Sequence, residues 1–169
     1  MKELQVRIVK LEPMRVASVR VVSETPERDA WDRMRRWAEP RGLLGKTQEH
    51  PVFGFNNPDP SQDSKEYGYE FWVRIGKDTK VEGTIQAKDF GGGLYAATTC
   101  DIKECTLEGI PQAWGMLAKW VKSSKYKFGK HQMLEGIRNP DAPESELVLG
   151  LYCPIEPKRV KGRSVPKTH

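Results

Sequence analysis

The chain has 169 residues, of which 37% are hydrophobic, so it is long enough for a single domain with a buried core. It contains no run near the ~18 apolar residues of a membrane span and no apolar signal segment at its start, so we expect a cytoplasmic protein without membrane contact. The net charge of +5 arises in residues 158–169, which hold five basic side chains and no acidic one. We therefore predict a single domain over residues 1–157 and a basic, disordered tail over 158–169. The remaining 23 basic and 23 acidic residues balance, which gives the folded body no electrostatic surface for nucleic acid.

The predicted elements follow the same order in both halves of the chain. Val- and Ile-rich segments at 4–11 and 14–22 favour strands, and a helix follows with Thr25 as a candidate N-cap and Pro26 in its first turn. That helix ends at Pro40, and strands are predicted at 52–56 and 67–75. The second half predicts strands at 83–89 and 94–100, a helix near 108–123, and strands at 131–137 and 146–155.

Short motifs recur at offsets of 82 or 83 residues. These are Ala30-Trp31 and Ala113-Trp114, Gly54-Phe55 and Gly136-Ile137, and Asn57-Pro58-Asp59 and Asn139-Pro140-Asp141. A repeat of this length dictates the fold. We predict an α+β fold of two duplicated ββαββ units, about 4–76 and 83–156, with pseudo-two-fold symmetry. Two helices would pack on an antiparallel sheet, with a ligand cleft between the halves.

Glu135 is the first candidate site residue. It shares a predicted strand face with Met133 and Ile137, and the repeat aligns it with Phe53, so a carboxylate occupies the place of an aromatic ring. An ionised carboxylate in an interior is costly unless it is paired, and burial can raise its pKa by ~3–5 units. Proteins tolerate this mostly at functional sites. A strand-edge Glu that faces water, or one paired with a lysine, is the alternative.

Aromatic side chains supply the other candidates. Along the strand 67–75, Tyr69 and Phe71 point to the face opposite Trp72. On the predicted strand 146–155, Tyr152 points to the face opposite that of Leu151 and Cys153. Tyr95 follows the glycine run 91–93. One face would pack under the helices and the other could line the cleft, although an aromatic stripe is also typical of a core.

Metal and covalent chemistry are not indicated. The three cysteines form no C-x-x-C pair, which favours buried thiols at Cys100 and Cys153 over a disulfide or zinc site. The histidines lack the spacing of metal ligands, and no nucleophile motif is present. We therefore expect no metal, no cofactor and no catalytic constellation beyond Glu135.

The chain resembles the GyrI-like small-molecule-binding family over residues 4–157. The motifs that carry the resemblance are the Ala-Trp helix, Gly54-Phe55 with Asn57-Pro58-Asp59, Gly92-Gly93 with Tyr95-Ala96, Glu135 before Asn139, and Leu151-Tyr152 with Pro154-Ile155. That family includes effector-binding domains of AraC-type and multidrug-responsive transcription regulators and gyrase-inhibitory proteins. The resemblance implies a pocket acid at Glu135 and pocket aromatics at Tyr152 and Tyr95, to which the strand pattern adds Trp72 and Phe53.

These expectations predict a stand-alone binding domain for apolar, aromatic ligands, cationic ones included. The family's regulators carry a helix-turn-helix in the same chain, whereas here the first strand begins within five residues of Met1, so a partner protein is a further expectation. One alternative is a hydrolase of strained, cyclopropane-bearing toxins, with Glu135 as general base. A second alternative is a protein-interaction module of the gyrase-inhibitor type.

Overall fold

A computed structural model describes residues 4–106 and 108–158, and it confirms the predicted α+β class. Within these residues a curled antiparallel sheet of nine strands forms a half-barrel, and three helices pack against it. The strands are β1 Arg7–Leu11, β2 Met14–Ser23, β3 Val52–Asn56, β4 Tyr67–Ile75, β5 Gln86–Phe90, β6 Gly93–Asp101, β7 Tyr126–Phe128, β8 Leu134–Ile137 and β9 Val148–Pro157. The helices are α1 Pro26–Ala38, α2 Ile102–Cys105 and α3 Gly109–Lys122, with 3-10 turns at Glu39–Arg41 and Glu144–Glu146.

The strand order is β1-β6-β9-β8-β3-β4-β2-β5, and β7 pairs with β9 outside this path. The centre of the sheet is the antiparallel pair of β3 and β8, where Val52 lies opposite Ile137 and Gly54 lies opposite Glu135. From this centre one arm runs through β4 and β2 to β5, and the other runs through β9 and β6 to β1. The first strand therefore pairs with β6 of the second half, and β2 pairs with β5. The internal duplication itself stays a prediction.

The two long helices pack on the same face of the sheet, one over each arm. Helix α1 buries Ala30 and Met34 against β2 and β4, and α3 buries Leu117 and Val121 against β6 and β9. Ile137 of central β8 contacts both clusters. Because apolar side chains recur at helical spacing on only one side of each helix, each helix has one face that the sheet can cover. This arrangement leaves space between the helices above β3 and β8.

A third apolar cluster lies on the opposite face of the sheet. It contains Val16, Phe53, Phe55, Trp72, Phe90, Tyr95 and Leu134. Tyr152 packs against it, with its ring centroid 5.8 Å from that of Phe53 and 5.9 Å from that of Tyr95. Alternation along the strands separates these rings from the helix-facing side chains.

Several local predictions need correction. Thr25 occupies the N-cap position of α1 but makes no side-chain capping bond, and its hydroxyl lies 3.2 Å from the Asp29 carboxylate instead. Strand β7 and helix α2 were not predicted. Cys100 is bonded to Cys105, so its prediction as a thiol is wrong: the short helix α2 turns the chain back and brings the two sulfurs together. Cys153 is a buried free thiol, as predicted.

The predicted tail falls almost wholly on residues 159–169, which lie outside the described residues. Lys158 is described, and its ammonium group donates a hydrogen bond to the Ser124 carbonyl at 2.7 Å. Across the described ranges, no helix has the length and apolar character needed to cross a membrane.

Candidate functional site

A cavity of about 760 Å³ opens between α1 and α3, above the centre of the sheet. We call it the inter-helix cavity. Its volume lies in the range of ~300–1,000 Å³ that is typical of sites for drug-sized ligands. Its lining residues come from α1 and the turn before it, β3, β4, α2, α3, β8, β9 and the loops on either side of β8.

Glu135 lies at the floor of the inter-helix cavity. Strand β8 places it between Gly54 of β3 and Leu151 of β9, with its side chain on the helix-facing side. Burial is the main cause that raises the pKa of this carboxyl to about 7, and the negative charge of Glu27 raises it further. A hydrogen bond from Tyr69 acts in the opposite direction. Glu135 therefore exchanges its proton close to neutral pH.

Gly54 provides the space in which Tyr69 reaches Glu135. A Cβ atom on Gly54 would lie 2.5 Å from the Tyr69 hydroxyl and 2.6 Å from a ring carbon, so any other residue would collide with the phenol. Tyr69 is itself buried, and burial together with the charge of Glu135 raises its pKa well above the ordinary value. Its hydroxyl stays protonated and donates to the carboxylate. The absence of a side chain at Gly54 therefore leaves room for the Tyr69 phenol above β3, where Gly54 lies opposite Glu135.

A second tyrosine–carboxylate pair lies in the same cavity. The Tyr67 hydroxyl is 2.9 Å and 2.7 Å from the two carboxylate oxygens of Glu27, in the first turn of α1. Burial, the hydrogen bond and the charge of Glu27 raise the pKa of Tyr67 to about 12, so it donates throughout the physiological range. Tyr67 and Tyr69 share one face of β4 because they are two residues apart.

Aromatic rings form the walls. Trp31 of α1 packs on Phe71 with centroids 5.1 Å apart, and Tyr69 lies 4.9 Å from the same ring. Trp114 of α3 stands on the other side, and both tryptophans are only partly buried. Rings with exposed faces can attract a cation through their quadrupole, by ~0.5–2 kcal/mol each.

The charges of the lining residues have mainly one sign. Five acidic side chains face one basic side chain, Arg28, among the described residues that line the cavity; the acids are Glu24, Glu27, Asp32, Glu135 and Glu144. This excess is local, since the acidic and basic residues of the body as a whole balance. The described side chains that line the inter-helix cavity therefore carry an excess of negative charge.

The structure places the predicted site residues on two different faces. Glu135 lies in the cavity, but Tyr95, Tyr152, Trp72 and Phe53 lie in the apolar cluster on the other side of the sheet. These four rings are brought together with one another and not with Glu135. The sheet separates them because successive side chains of a strand point to opposite faces.

The lining residues that the sequence analysis did not select include Tyr67, Tyr69, Trp31, Trp114 and Glu27. A signal for two of them was present: the paired Ala-Trp motifs place a tryptophan at the same position of each helix, and both tryptophans line the cavity. The alternation along β4 already placed Tyr69 on the face opposite Trp72, but its proximity to Glu135 follows from the pairing of β3 with both β4 and β8.

A second buried acid, Glu70, lies on the opposite face and is fully partnered. Ser18, Asn57, Trp72 and Lys88 all donate to its carboxylate, at 2.8, 3.1, 2.6 and 2.9 Å respectively. Burial alone would raise the pKa of Glu70, but these hydrogen bonds, with Lys88 first, lower it below the ordinary value. Its partners account for its ionisation without a ligand, so we interpret Glu70 as a structural acid.

The family model of the GyrI-like small molecule binding domain matches residues 4–156. The chain belongs to this family. The cavity described above is thus the candidate ligand site of a small-molecule-binding domain. No curated protein sequence matches the chain.

Solved structures share the fold at low sequence identity. The C-terminal domain of EcmrR is 15% identical with a TM-score of 0.66, and the match covers 92% of this chain and 99% of that domain. EcmrR in its DNA complex gives a TM-score of 0.67 at 15% identity, and there the match covers 92% of this chain and 58% of the EcmrR chain. SAV2435 bound to tetraphenylphosphonium gives 0.55 at 10% identity, with coverage of 92% and 94%.

Proposed function

We propose that the inter-helix cavity binds apolar aromatic cations. The observation that carries this proposal is a largely buried carboxylate, Glu135, at the floor of a cavity with aromatic walls. The carboxylate discriminates by charge, and the rings of Trp31, Phe71 and Trp114 supply apolar contact and cation–π attraction. SAV2435, which shares the fold, is seen with tetraphenylphosphonium, and this supports the same chemical class for the present cavity.

Charge selectivity has a physical basis in the free protein. Burial disfavours the ionised form of Glu135, as its raised pKa of about 7 records. A cation placed beside this carboxylate replaces the water that burial removed, so binding recovers part of the desolvation free energy. A neutral ligand of the same shape recovers none of it. The cavity should therefore prefer cations over their neutral analogues.

The test compares a cation with a neutral analogue by isothermal titration calorimetry. Tetraphenylphosphonium and triphenylphosphine oxide present similar phenyl groups but differ in charge. Glu135→Gln should weaken phosphonium binding at least tenfold, about 1.4 kcal/mol, and change oxide binding little. The control variant is Glu12→Gln, an exposed acid in the turn between β1 and β2, outside the cavity. Equal phosphonium affinity in wild type and Glu135→Gln would contradict the proposal.

We further propose that the domain acts in the cytoplasm as a multidrug sensor that signals through a partner protein. The balanced charge of the body argues against direct contact of this domain with nucleic acid. Size-exclusion chromatography of cell extract with and without an aromatic cation tests this proposal. A ligand-dependent change in the protein's elution volume is the expected result, and an unchanged monomer peak would contradict it.

Hydrolysis is the second candidate function, and the pairing of Glu135 with Tyr69 favours it. A carboxylate with a pKa of about 7 can serve as general base at neutral pH, and a protonated phenol beside it can serve as acid. In a strained cyclopropane, Glu135 would take a proton from water as the water oxygen bonds to one ring carbon. The strained C–C bond breaks, its electron pair remains on the other carbon, and that carbon takes a proton from Tyr69. The proton on Glu135 then passes to the Tyr69 phenolate, so both groups return to their starting states and the product has gained one water.

Mass spectrometry of a cyclopropane-bearing aromatic compound incubated with the protein tests this second function. A gain of one water in wild type, and no gain in either Glu135→Gln or Tyr69→Phe, is the expected result. Unstrained esters should remain intact. Turnover that persists in Glu135→Gln would exclude this mechanism.

A further inference from the structure

The inter-helix cavity holds two carboxylates that each pair with a tyrosine of β4, an exposed one at Glu27 and a largely buried one at Glu135. Glu135 accepts a hydrogen bond from Tyr69, and Glu27 accepts one from Tyr67. The two tyrosines lie on one face of β4, two residues apart, which corresponds to about 6.8 Å along the strand. Each carboxylate is thus held by a phenol of the same rigid element, one at the floor of the cavity and one towards the N-terminus of α1.

The two carboxylates act on each other. The charge of Glu27 is one of the causes that raise the pKa of Glu135, so the pair is close enough for repulsion within the cavity. Arg28 is the one basic residue against five acidic ones among the described lining residues. A ligand with a single positive charge at Glu135 would leave Glu27 without a cationic partner from the ligand.

We propose that the ligands bound best by this cavity are dications, with an aromatic cation against Glu135 and a second cationic group against Glu27. This inference rests on the proposed function, since it assumes that the cavity takes aromatic cations. A dication neutralises both carboxylates and removes their mutual repulsion, which a monocation does only in part. Because both acids are held by tyrosines, neither has to be ordered when the ligand binds.

Ethidium and propidium form a matched pair of probes. They share the phenanthridinium ring, and propidium carries in addition a quaternary ammonium group on its side chain. We expect propidium to bind about tenfold more tightly than ethidium in a fluorescence titration at low salt, with a smaller ratio at high salt. Glu27→Gln should reduce this ratio to about twofold, mainly by weakening propidium, and it should not weaken ethidium because Glu135 becomes more ionised when the charge of Glu27 is removed. Glu135→Gln should weaken both dyes.

Two control variants separate position from general charge. Asp32→Asn removes another acid of α1 that lines the cavity, and Glu12→Gln removes an acid outside it. Both should preserve most of the propidium preference. A loss in Asp32→Asn equal to that in Glu27→Gln would overturn the assignment of Glu27 as the second pole. Thermal unfolding of each variant verifies that it is folded.

The outcomes for the two proposals are distinguishable. If tetraphenylphosphonium and ethidium bind but propidium binds no more tightly than ethidium, the two-charge inference is wrong and the proposed function stands. A propidium preference that is retained in Glu27→Gln would also show that the two-charge inference is wrong while the proposed function stands. If none of the three cations binds, the proposed function itself fails.

Discussion

The affinity of the inter-helix cavity for a permanent cation should fall about tenfold between pH 8 and pH 6. With the pKa of Glu135 at about 7, its ionised fraction is about 0.9 at pH 8 and about 0.09 at pH 6. The sign follows from the raised pKa: the proton remains on Glu135 at a pH where an ordinary glutamate has lost it. The cation prefers the ionised form, so affinity is lost as the pH falls through about 7.

Tetraphenylphosphonium suits this measurement because its charge does not depend on pH. Calorimetric titrations from pH 5.5 to 8.5 give the affinity, and repetition in buffers of different ionisation enthalpy gives the number of protons released. At pH 7, binding of tetraphenylphosphonium should release about half a proton per molecule of wild type and none from Glu135→Gln. The pKa values of Tyr67 and Tyr69 are too high for either phenol to contribute in this range. A flat wild-type profile, or an equal decline in Glu135→Gln, would refute the assignment.

Two further predictions concern glycine and the structural acid. Gly54→Ala should displace Tyr69 and weaken phosphonium binding several-fold, whereas Gly115→Ala, in helix α3 with open space around it, should leave binding unchanged and stabilise the fold by about 0.5–1 kcal/mol. Equal binding by wild type and Gly54→Ala would show that Tyr69 does not need this space. Glu70→Gln should cost about 1–3 kcal/mol in urea unfolding, because it loses the ion pair with Lys88, and should leave affinity unchanged. A changed phosphonium affinity in Glu70→Gln would show that the two faces of the sheet are energetically coupled.

Much of the fold follows from local patterns in the sequence. The strand predicted at 67–75 has the same bounds as β4 because its alternation and β-branched and aromatic content are strong, and the first helix is bounded by Pro26 and Pro40. The pairing of the strands does not follow from these local patterns. Strand β1 pairs with β6, and β2 pairs with β4 and β5; these partners are far away in sequence and depend on how the whole sheet curls. A hairpin between β1 and β2 would satisfy the same local pattern.

Only some of the predicted site residues line the inter-helix cavity, and their role in ligand binding stays a prediction. Glu135 does lie in the cavity, but the repeat alignment that selected it equates it with Phe53. The two side chains point to opposite faces, because Gly54 and not Phe53 is the residue opposite Glu135. A shift of one residue in register moves a side chain to the other face. Tyr95 and Tyr152 were selected from the family resemblance and Trp72 from the strand pattern, so the repeat alignment does not account for their place on the other face of the sheet.

Removal of the site acid should stabilise the free protein at alkaline pH. The pKa of Glu135 rises from 4.5, the ordinary value of a glutamate, to about 7 in the fold, so the folded state binds more protons than the unfolded state between these values. The contribution of Glu135 to stability is therefore greatest below pH 4.5, and this contribution is lost as the pH rises to about 7. The shift corresponds to at most about 3 kcal/mol, reduced by solvent that enters the cavity.

Glu135→Gln should consequently be more stable than wild type at pH 8, by about 1–3 kcal/mol in urea unfolding, and nearly equal to it at pH 5. The glutamine can still accept a hydrogen bond from Tyr69, so the comparison isolates the charge. Removal of the charge from a structural ion pair, such as that of Glu70 with Lys88, changes the free energy of unfolding in the opposite direction, because it destabilises the fold. Lower stability of Glu135→Gln at pH 8 would show that Glu135 supports the fold. A gain in stability combined with a loss of cation affinity would show that this carboxylate is kept although it destabilises the fold, as expected of a residue retained for its ligand.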